Sequence, residues 1–166
     1  TEAAAVPEAF LTAFVNLFQE GEVQAGDRVL IHGGASGVGT AAIQLAVAAG
    51  AVVAVTARDE YKLSVCRRLG AELTINHTLQ DFAVEIEKEW GHVEVVLDIV
   101  GADYLERNLR VLSTRGRLVL LATMGGAQAN LDLAALMGRR LRLIGSVLRS
   151  RSNEEKAAIT EGFARR

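Results

Sequence analysis

The sequence predicts an α/β fold, a doubly wound parallel sheet of about six strands in the order 3-2-1-4-5-6 with helices on both faces. Two observations predict it. Short, continuous apolar runs such as residues 93–99 recur along the chain, and amphipathic stretches separate them. Strands that are apolar on both faces are typical of a parallel sheet covered by helices on each side. Repeated β-α units of this kind indicate a doubly wound sheet.

The elements follow in chain order. Pro7 begins a helix that runs to about Glu20, because proline suits the first helical turn. Strands are predicted at residues 29–31, 51–55, 93–99 and 118–121, with shorter or edge strands at 73–75 and 141–147. Helices are predicted at residues 38–49, 60–69, 81–90 and 104–112, the last closed by turn residues before Gly116.

The end of the chain carries a final helix signal. Residues 152–155, Ser-Asn-Glu-Glu, are typical of a helix-capping segment. No C-cap residue follows before Arg166, so we expect the chain to be a piece cut inside that helix.

Composition predicts one domain over residues 1–166, since half of the residues are apolar and suffice for one core. The net charge is −2, with acids and bases interspersed, so no nucleic-acid surface is expected. Cys66 is the single cysteine; it excludes a disulfide framework and a site of several thiolates, and its neighbours indicate a core position. No run of about 18 apolar residues and no basic leader occurs, which predicts a cytoplasmic protein that spans no membrane.

A glycine-rich turn is the strongest functional signal. Residues 32–40, His-Gly-Gly-Ala-Ser-Gly-Val-Gly-Thr, follow the first long buried strand and open a helix. In a βαβ unit, Gly34 permits a tight turn, Gly37 lets the backbone approach a pyrophosphate, and Gly39 lets the helix pack close to the sheet. The N–H groups at the helix start attract the diphosphate. The alternative is a plain strand–helix turn without a ligand.

The tip of the second strand favours NADP over NAD. An NAD enzyme usually carries Asp or Glu there, whereas residues 55–58 are Val-Thr-Ala-Arg. Arg58 and Lys62 would attract a 2′-phosphate, although both could equally belong to a solvated helix start. Asp59 and Glu60 complicate this assignment, unless they serve the N-terminus of the next helix.

Several motifs together resemble the zinc-independent quinone oxidoreductase branch of the medium-chain dehydrogenase/reductase superfamily. They lie at residues 5–14, 32–46, 69–71, 98–101 and 148–152, and the resemblance extends over nearly the whole chain. It implies a Rossmann domain that holds the cofactor. A GroES-like catalytic domain, which contributes most of the substrate cleft in that family, would be absent from this chain.

The resemblance also implies roles for individual residues. Ser36, Gly37, Val38 and Gly39 would contact the pyrophosphate; Arg58, Lys62 and His77 would lie near the 2′-phosphate and ribose; Gly101 would lie near the adenine and ribose; and Thr12, Met124, Ser146 and Leu148 would lie towards the nicotinamide. Arg58 and His77 depart from the family's usual small residue and tyrosine. Structural alternatives remain open: His77 as a capping or surface residue, Met124 in an ordinary turn, and Thr12 bonding within its helix. No residue is assigned as catalytic, and His32 is expected to be a core histidine.

Zinc is not expected. Zinc-dependent members place a ligand cysteine four residues before the position that matches Thr12, and Glu8 stands there instead.

The implied reaction is hydride transfer from NADPH to a quinone or an activated enone. We expect this chain by itself to bind NADPH weakly and to turn over slowly or not at all. One alternative is the enoyl-reductase domain of a polyketide or fatty acid synthase. Another is a nucleotide-binding module without catalysis.

The strand at residues 141–147 is expected at an edge of the sheet. An exposed apolar edge invites pairing with another strand, and members of the resembling family dimerise through this edge. The expectation is therefore a homodimer with a two-fold contact, acting on a small quinone or enone.

Overall fold

The fold of this protein is described by a computed structural model over residues 6–165, with side chains over residues 8–165. The predicted sheet is confirmed: six parallel strands lie in the order β3-β2-β1-β4-β5-β6. The strands are β1 (Arg28–Ile31), β2 (Val52–Ala57), β3 (Leu73–Asn76), β4 (Val93–Asp98), β5 (Leu112–Leu120) and β6 (Arg142–Gly145). The predictions for Arg166 and for the motif residues before Val6 lie outside the described residues.

Seven helices flank this sheet within the described part of the chain. The leading helix α1 consists of three consecutive segments, Val6–Phe10, Leu11–Phe14 and Val15–Glu20, of which the outer two have the wider turns of a π-helix. The others are α2 (Gly37–Ala48), α3 (Glu60–Arg68), α4 (Phe82–Glu89), α5 (Ala102–Val111), α6 (Leu133–Gly138) and α7 (Asn153–Ala164). None of the described helices is both long and apolar enough to span a membrane.

Polar caps determine where several helices begin. Asp59, Asp81 and Asp132 each accept a hydrogen bond from a backbone N–H in the first turn of the helix that follows. Ser152 and Glu155 form the predicted capping box of α7. Each cap satisfies an N–H group that has no partner within its helix.

The central strands are buried on both faces, as their unbroken apolar runs predicted. Val29 and Ile31 pack with α1 and α2 on one face, whereas Leu30 packs with α4 and α5 on the other. Cys66 on α3 is buried in the first of these clusters, so the predicted core position is confirmed.

The boundary between α5 and β5 differs from the prediction. The strand begins at Leu112 rather than at residue 118, and α5 occupies residues 102–111 rather than 104–112. Leu112 pairs with Val93 and Arg117 pairs with Val95, so residues 113–116 bulge within the strand. Their turn-like composition reflects this bulge, where Arg115 adopts a positive φ of 65°.

The edge strand is present but shorter than predicted. β6 covers residues 142–145 and not 141–147, and none of its four residues is fully buried. It pairs with β5 on one side only. Arg142 at its start forms an ion pair with Glu22, with 2.8 Å between Nη1 and Oε2.

Candidate functional site

A cleft of about 740 Å³ opens where the central strands end. Its walls come from the segments that follow β1, β2, β3 and β4, together with parts of β2, α3 and α5 and the loop after β5. The lining residues are Gly33, Ala35, Ser36, Thr56, Ala57, Arg58, Lys62, His77, Ile99, Val100, Asp103, Tyr104, Met124 and Gly125. Ligands of doubly wound sheets bind at this place, in the crevice beyond the carboxyl ends of the strands.

The glycine loop brings Ser36, just before α2, to one wall of the cleft, whereas the predicted residues Gly37, Val38 and Gly39 are not among the lining residues. Ser36 is the N-cap of α2, and its Oγ accepts a hydrogen bond of 3.0 Å from the Gly39 N–H. The N–H groups of Gly37 and Val38 belong to the first turn and therefore have no acceptor within the helix. The helix start thus offers amide donors and a partial positive charge to an anion.

The tight turn uses a different glycine from the one the sequence suggested. Gly33 has a φ of +66°, in the left-handed region, whereas the φ of Gly34 lies outside that region. Gly34 is required for space instead, because a Cβ there would lie 2.7 Å from Cβ of Val55. Its role is close packing against β2.

Gly37 and Gly39 have opposite surroundings. A Cβ on Gly39 would lie 2.4 Å from the carbonyl oxygen of Gly33 and 2.7 Å from that of Gly34, so the helix start packs directly on the loop backbone. A Cβ on Gly37 would meet nothing within 4 Å. Such open space beside unpaired amides fits a pyrophosphate that approaches the backbone closely.

The second wall carries the basic side chains. Among the described residues, the Arg58 guanidinium has no hydrogen-bond or ion-pair partner, whereas Lys62 Nζ lies 3.4 Å from Asp59 Oδ2. Asp59 is the N-cap of α3: its Oδ1 accepts from the Lys62 N–H, and this bond is the main cause that lowers the pKa of Asp59. Glu60 pairs with Arg67 at 2.6 Å. Both acids therefore stabilise α3, Asp59 as its N-cap and Glu60 through its ion pair with Arg67. This is the alternative that the sequence left open.

His77 and Tyr104 close one side of the cleft. The His77 side chain is exposed, and its ring centroid lies 6.5 Å from that of Tyr104. Tyr104 also supports the Arg107 guanidinium, 4.6 Å from its ring centre, and burial raises the pKa of its phenol. Sequence reasoning missed Tyr104 and Asp103, although their place just after Gly101 at the end of β4 was a usable signal.

The remaining predicted residues fall into two groups. Met124 lies at the cleft with 80% of its surface exposed. Gly101 has a φ of +84° and directly precedes α5, although its neighbours rather than Gly101 itself line the cleft. Thr12, Ser146 and Leu148 do not line the cleft at all.

Leu148 contributes to a second cavity of about 280 Å³, next to α1 and α7. Its lining also includes Glu8, Leu11, Arg149, Lys156 and Ile159. Ser146 is buried, and its Oγ has no hydrogen-bond partner within the part of the chain that the structure describes. The described residues contain no group of three or more His, Cys, Asp or Glu that could hold a metal ion.

Four buried polar side chains form a network beside the cleft, of which only Thr56 also lines it. They are His32, Thr56, Asp98 and Asn108, each at most 1% exposed. His32 bonds to Thr56 through Nδ1 (3.0 Å) and to Asn108 through Nε2 (2.7 Å), and Asn108 Nδ2 donates to Asp98 Oδ2 at 3.0 Å. Burial lowers the pKa of His32 to about 4, so the predicted core histidine is confirmed. The partners of His32 were not foreseen.

Comparison with known proteins gives this site a family context. Residues 37–162 match the model of the family described as zinc-binding dehydrogenase. The chain is 38% identical over 138 residues to a phenolphthiocerol/phthiocerol polyketide synthase of Mycobacterium tuberculosis, covering 81% of this chain and 6% of that protein. It is 30% identical over 156 residues to human quinone oxidoreductase, covering 93% of this chain and 47% of that protein.

A solved structure shows the same likeness. The quinone oxidoreductase from Thermus thermophilus, which was also solved in complex with NADPH, superimposes with a TM-score of 0.85 at 33% identity. The match covers 98% of this chain and 51% of that one. The present chain thus spans about half the length of the quinone oxidoreductases that it matches and a small part of the synthase.

Proposed function

This chain belongs to the zinc-binding dehydrogenase family of the medium-chain dehydrogenase/reductase superfamily, and from that premise we propose that it is the NADPH-binding domain of an oxidoreductase that reduces quinones or activated enones. The observation that carries the proposal is the cleft, whose walls include Ser36, the N-cap of α2, and the Arg58 guanidinium, and which lies beside the open space at Gly37. NADPH, when bound, supplies the hydride, and the protein supplies binding and orientation.

The pyrophosphate would lie at the start of α2. Gly37 and Val38 offer unpaired amides, and the empty space beside Gly37 lets phosphate oxygens reach them. Ser36 and Gly39 hold this turn in shape through their own hydrogen bond, so the donors are oriented before the ligand arrives.

The 2′-phosphate of the adenosine would lie against Arg58. Its guanidinium has no hydrogen-bond or ion-pair partner among the described residues, whereas Lys62 already pairs with Asp59. Arg58 therefore contributes most to the preference for NADPH, and Lys62 and His77 assist at the same side of the cleft. Gly101 shapes the loop that faces the adenine and ribose.

The residues of this chain form only part of the site for the nicotinamide ring. Met124 lies at the rim of the cleft, and we propose that Thr12, Ser146 and Leu148 lie towards the nicotinamide once a second, GroES-like domain outside these 166 residues closes the substrate site. We assign no proton donor and no zinc ligand to this chain. The chain alone would then bind NADPH weakly and turn over little.

A second candidate is favoured by the sequence comparison. The identity to the polyketide synthase is 38%, against 30% to human quinone oxidoreductase. An enoyl reductase of this kind would reduce a carrier-bound enoyl thioester with the same cofactor. Assays of the full-length protein with a soluble quinone and with an enoyl thioester separate the two substrates.

The decisive experiment is a titration of this chain with NADPH and with NADH, followed by nicotinamide fluorescence. We expect tighter binding of NADPH, and about a tenfold loss of that preference in Arg58→Ala, with NADH binding unchanged. Arg68→Ala, an exposed change at the far end of α3, is the matched control. Equal affinity for both cofactors in the unmodified chain would contradict the NADP assignment, and no binding of either would contradict the function.

A further inference from the structure

We propose that the buried side chains of Thr56, His32, Asn108 and Asp98 form a positioning relay that joins the glycine loop to the loop after β4. The relay begins at the N–H of Gly33 and ends at the N–H groups of Val100 and Gly101. It would hold two walls of the cleft at the separation that the dinucleotide needs. The effect on the cofactor rests on the function proposed above, whereas the relay itself is a property of the free chain.

The ends of the relay determine the direction of every hydrogen bond in it. Asp98 Oδ1 accepts from the Val100 N–H at 2.6 Å, and Oδ2 accepts from the Gly101 N–H at 3.1 Å and from Asn108 Nδ2 at 3.0 Å. Both carboxylate oxygens thus accept. Since Asn108 uses its amide nitrogen towards Asp98, its Oδ1 must accept from His32 Nε2.

The same logic continues to the glycine loop. A neutral His32 that donates through Nε2 must accept through Nδ1, so the Thr56 hydroxyl donates to it at 3.0 Å. The Thr56 oxygen then remains free to accept the Gly33 N–H at 3.3 Å. Every donor along the path meets an acceptor, and only one tautomer of His32 satisfies the whole chain.

Burial makes this arrangement rigid. His32, Asp98 and Asn108 are at most 1% exposed, so water cannot replace a broken hydrogen bond. An unsatisfied buried polar group carries a substantial free-energy cost. The lowered pKa of His32, caused chiefly by its burial, is consistent with the neutral ring that the network requires.

A glycine with a positive φ lies at each end of the relay. Gly33 and Gly101 both have positive φ values, +66° and +84°, and both lie beside the cleft. A glycine can leave such a conformation easily. Hydrogen bonds from their N–H groups to buried side chains restrict that freedom, which explains why polar groups occupy a site that apolar side chains could fill.

The first test uses the NADPH affinity of two variants of Thr56, measured well below their unfolding temperatures. Thr56→Val keeps the shape and removes the hydroxyl, and we expect at least a fivefold weaker affinity. Thr56→Ser keeps the hydroxyl, and we expect an affinity within twofold of the unmodified chain. A loss of affinity that Ser does not rescue would overturn the relay, because the methyl group would then be the cause.

The second test acts from a residue that does not line the cleft. In Asn108→Leu we expect weaker NADPH binding by at least fivefold and a shift of the Gly33 amide resonance in the absence of any ligand. Asn16→Leu is the matched control: Asn16 is also buried, but among the described residues its side chain bonds only to the carbonyl of Thr12, within its own helix. A Gly33 resonance that moves no more in Asn108→Leu than in the control would overturn the relay.

A third readout needs no variant and no cofactor. The ¹⁵N resonances of His32 at pH 7 should show the neutral ring with the proton on Nε2. A charged ring, or a proton on Nδ1, would overturn the proposal. If Asn108→Leu does not fold, this measurement on the unmodified chain still tests the relay. If the unmodified chain binds no NADPH, the proposed function is wrong. The Gly33 and His32 resonances would still show whether the relay exists in the free chain.

Discussion

The two halves of the sheet are built differently. In β4, five of the six residues are buried, and the neighbouring strands β1 and β2 end in a cleft lined by short, tightly bonded loops. In β6, no residue is fully buried, β5 carries a bulge, and α6 buries none of its residues. One half encloses a site, and the other presents a half-exposed strand.

The difference shows where close steric and polar constraints are concentrated. Beside the cleft, a methyl group added at Gly39 would collide with backbone atoms, and four polar side chains have fixed partners. At the β6 edge, exposed side chains such as Val147 and Met137 have room to change. Substitutions should therefore affect stability and cofactor binding in the first half and association in the second.

The largest effect is expected from Gly39→Ala. The new methyl group would meet the carbonyl oxygens of Gly33 and Gly34, and such overpacking costs up to about 3 kcal/mol. NADPH binding should be lost with the loop geometry. Urea unfolding and a fluorescence titration measure the two effects. Unchanged stability would show that the loop is far less rigid than the cleft half requires.

Acid should weaken the same half through His32. Its pKa is about 4 in the folded chain and about 6.5 in the unfolded chain. Between these two pH values His32 is protonated in the unfolded chain and neutral in the folded one, so acid favours unfolding. The free energy of unfolding therefore has its highest value above pH 6.5 and decreases by on the order of 3 kcal/mol as the pH falls to 4. Burial raises the pKa of Asp98, which acts in the opposite direction and reduces the net loss.

Urea unfolding between pH 7 and pH 4 measures this slope. It should be largely absent in His32→Gln and retained in His92→Gln, since the His92 side chain is about half exposed. Equal slopes in the two variants would assign the acid sensitivity to other groups.

A smaller effect, on binding alone, is expected from Gly37→Ala. Nothing lies within 4 Å of the added methyl group, so stability should stay equal or rise slightly, because alanine suits a helix better than glycine. NADPH affinity should fall about tenfold, since the methyl group takes the space proposed for the pyrophosphate. Unfolding and titration of this variant, beside Gly39→Ala, separate ligand contact from loop packing. Unchanged affinity would contradict the proposal that the pyrophosphate binds beside Gly37.

The smallest effect on the fold is expected at the open edge. We expect the chain to form a homodimer through β6, and Val147→Lys, just beyond the end of that strand, should shift it towards the monomer with a stability change below about 0.5 kcal/mol. Val147 is 59% exposed, and Val84→Lys, at 50% exposure on α4, is the matched control. Light scattering measures the mass. A monomeric unmodified chain would contradict the dimer.

Sequence patterns predicted the central strands and helix starts well. The bounds of β1 and β2 lie within two residues of the expected ones, because strands buried on both faces need unbroken apolar runs. Residues 113–116 were misassigned, since a bulge inside a strand has the same composition as a turn. The cleft residues Ser36, Arg58, Lys62, His77 and Met124 were named in advance. Tyr104 was not, because its place shortly after Gly101 was interpreted as the start of a helix and not as part of a site.

The sequence by itself determined the strand order, the glycine turn and the absence of an acid at the tip of β2, since these depend on local periodicity and on residue types at short spacing. Only the tertiary structure decided that Gly33 rather than Gly34 turns the chain, that Arg58 is unpaired while Lys62 is not, and that His32 meets Asn108, 76 residues away. The physical reason is that such pairings depend on the register and packing of elements far apart in the chain, which local composition does not encode.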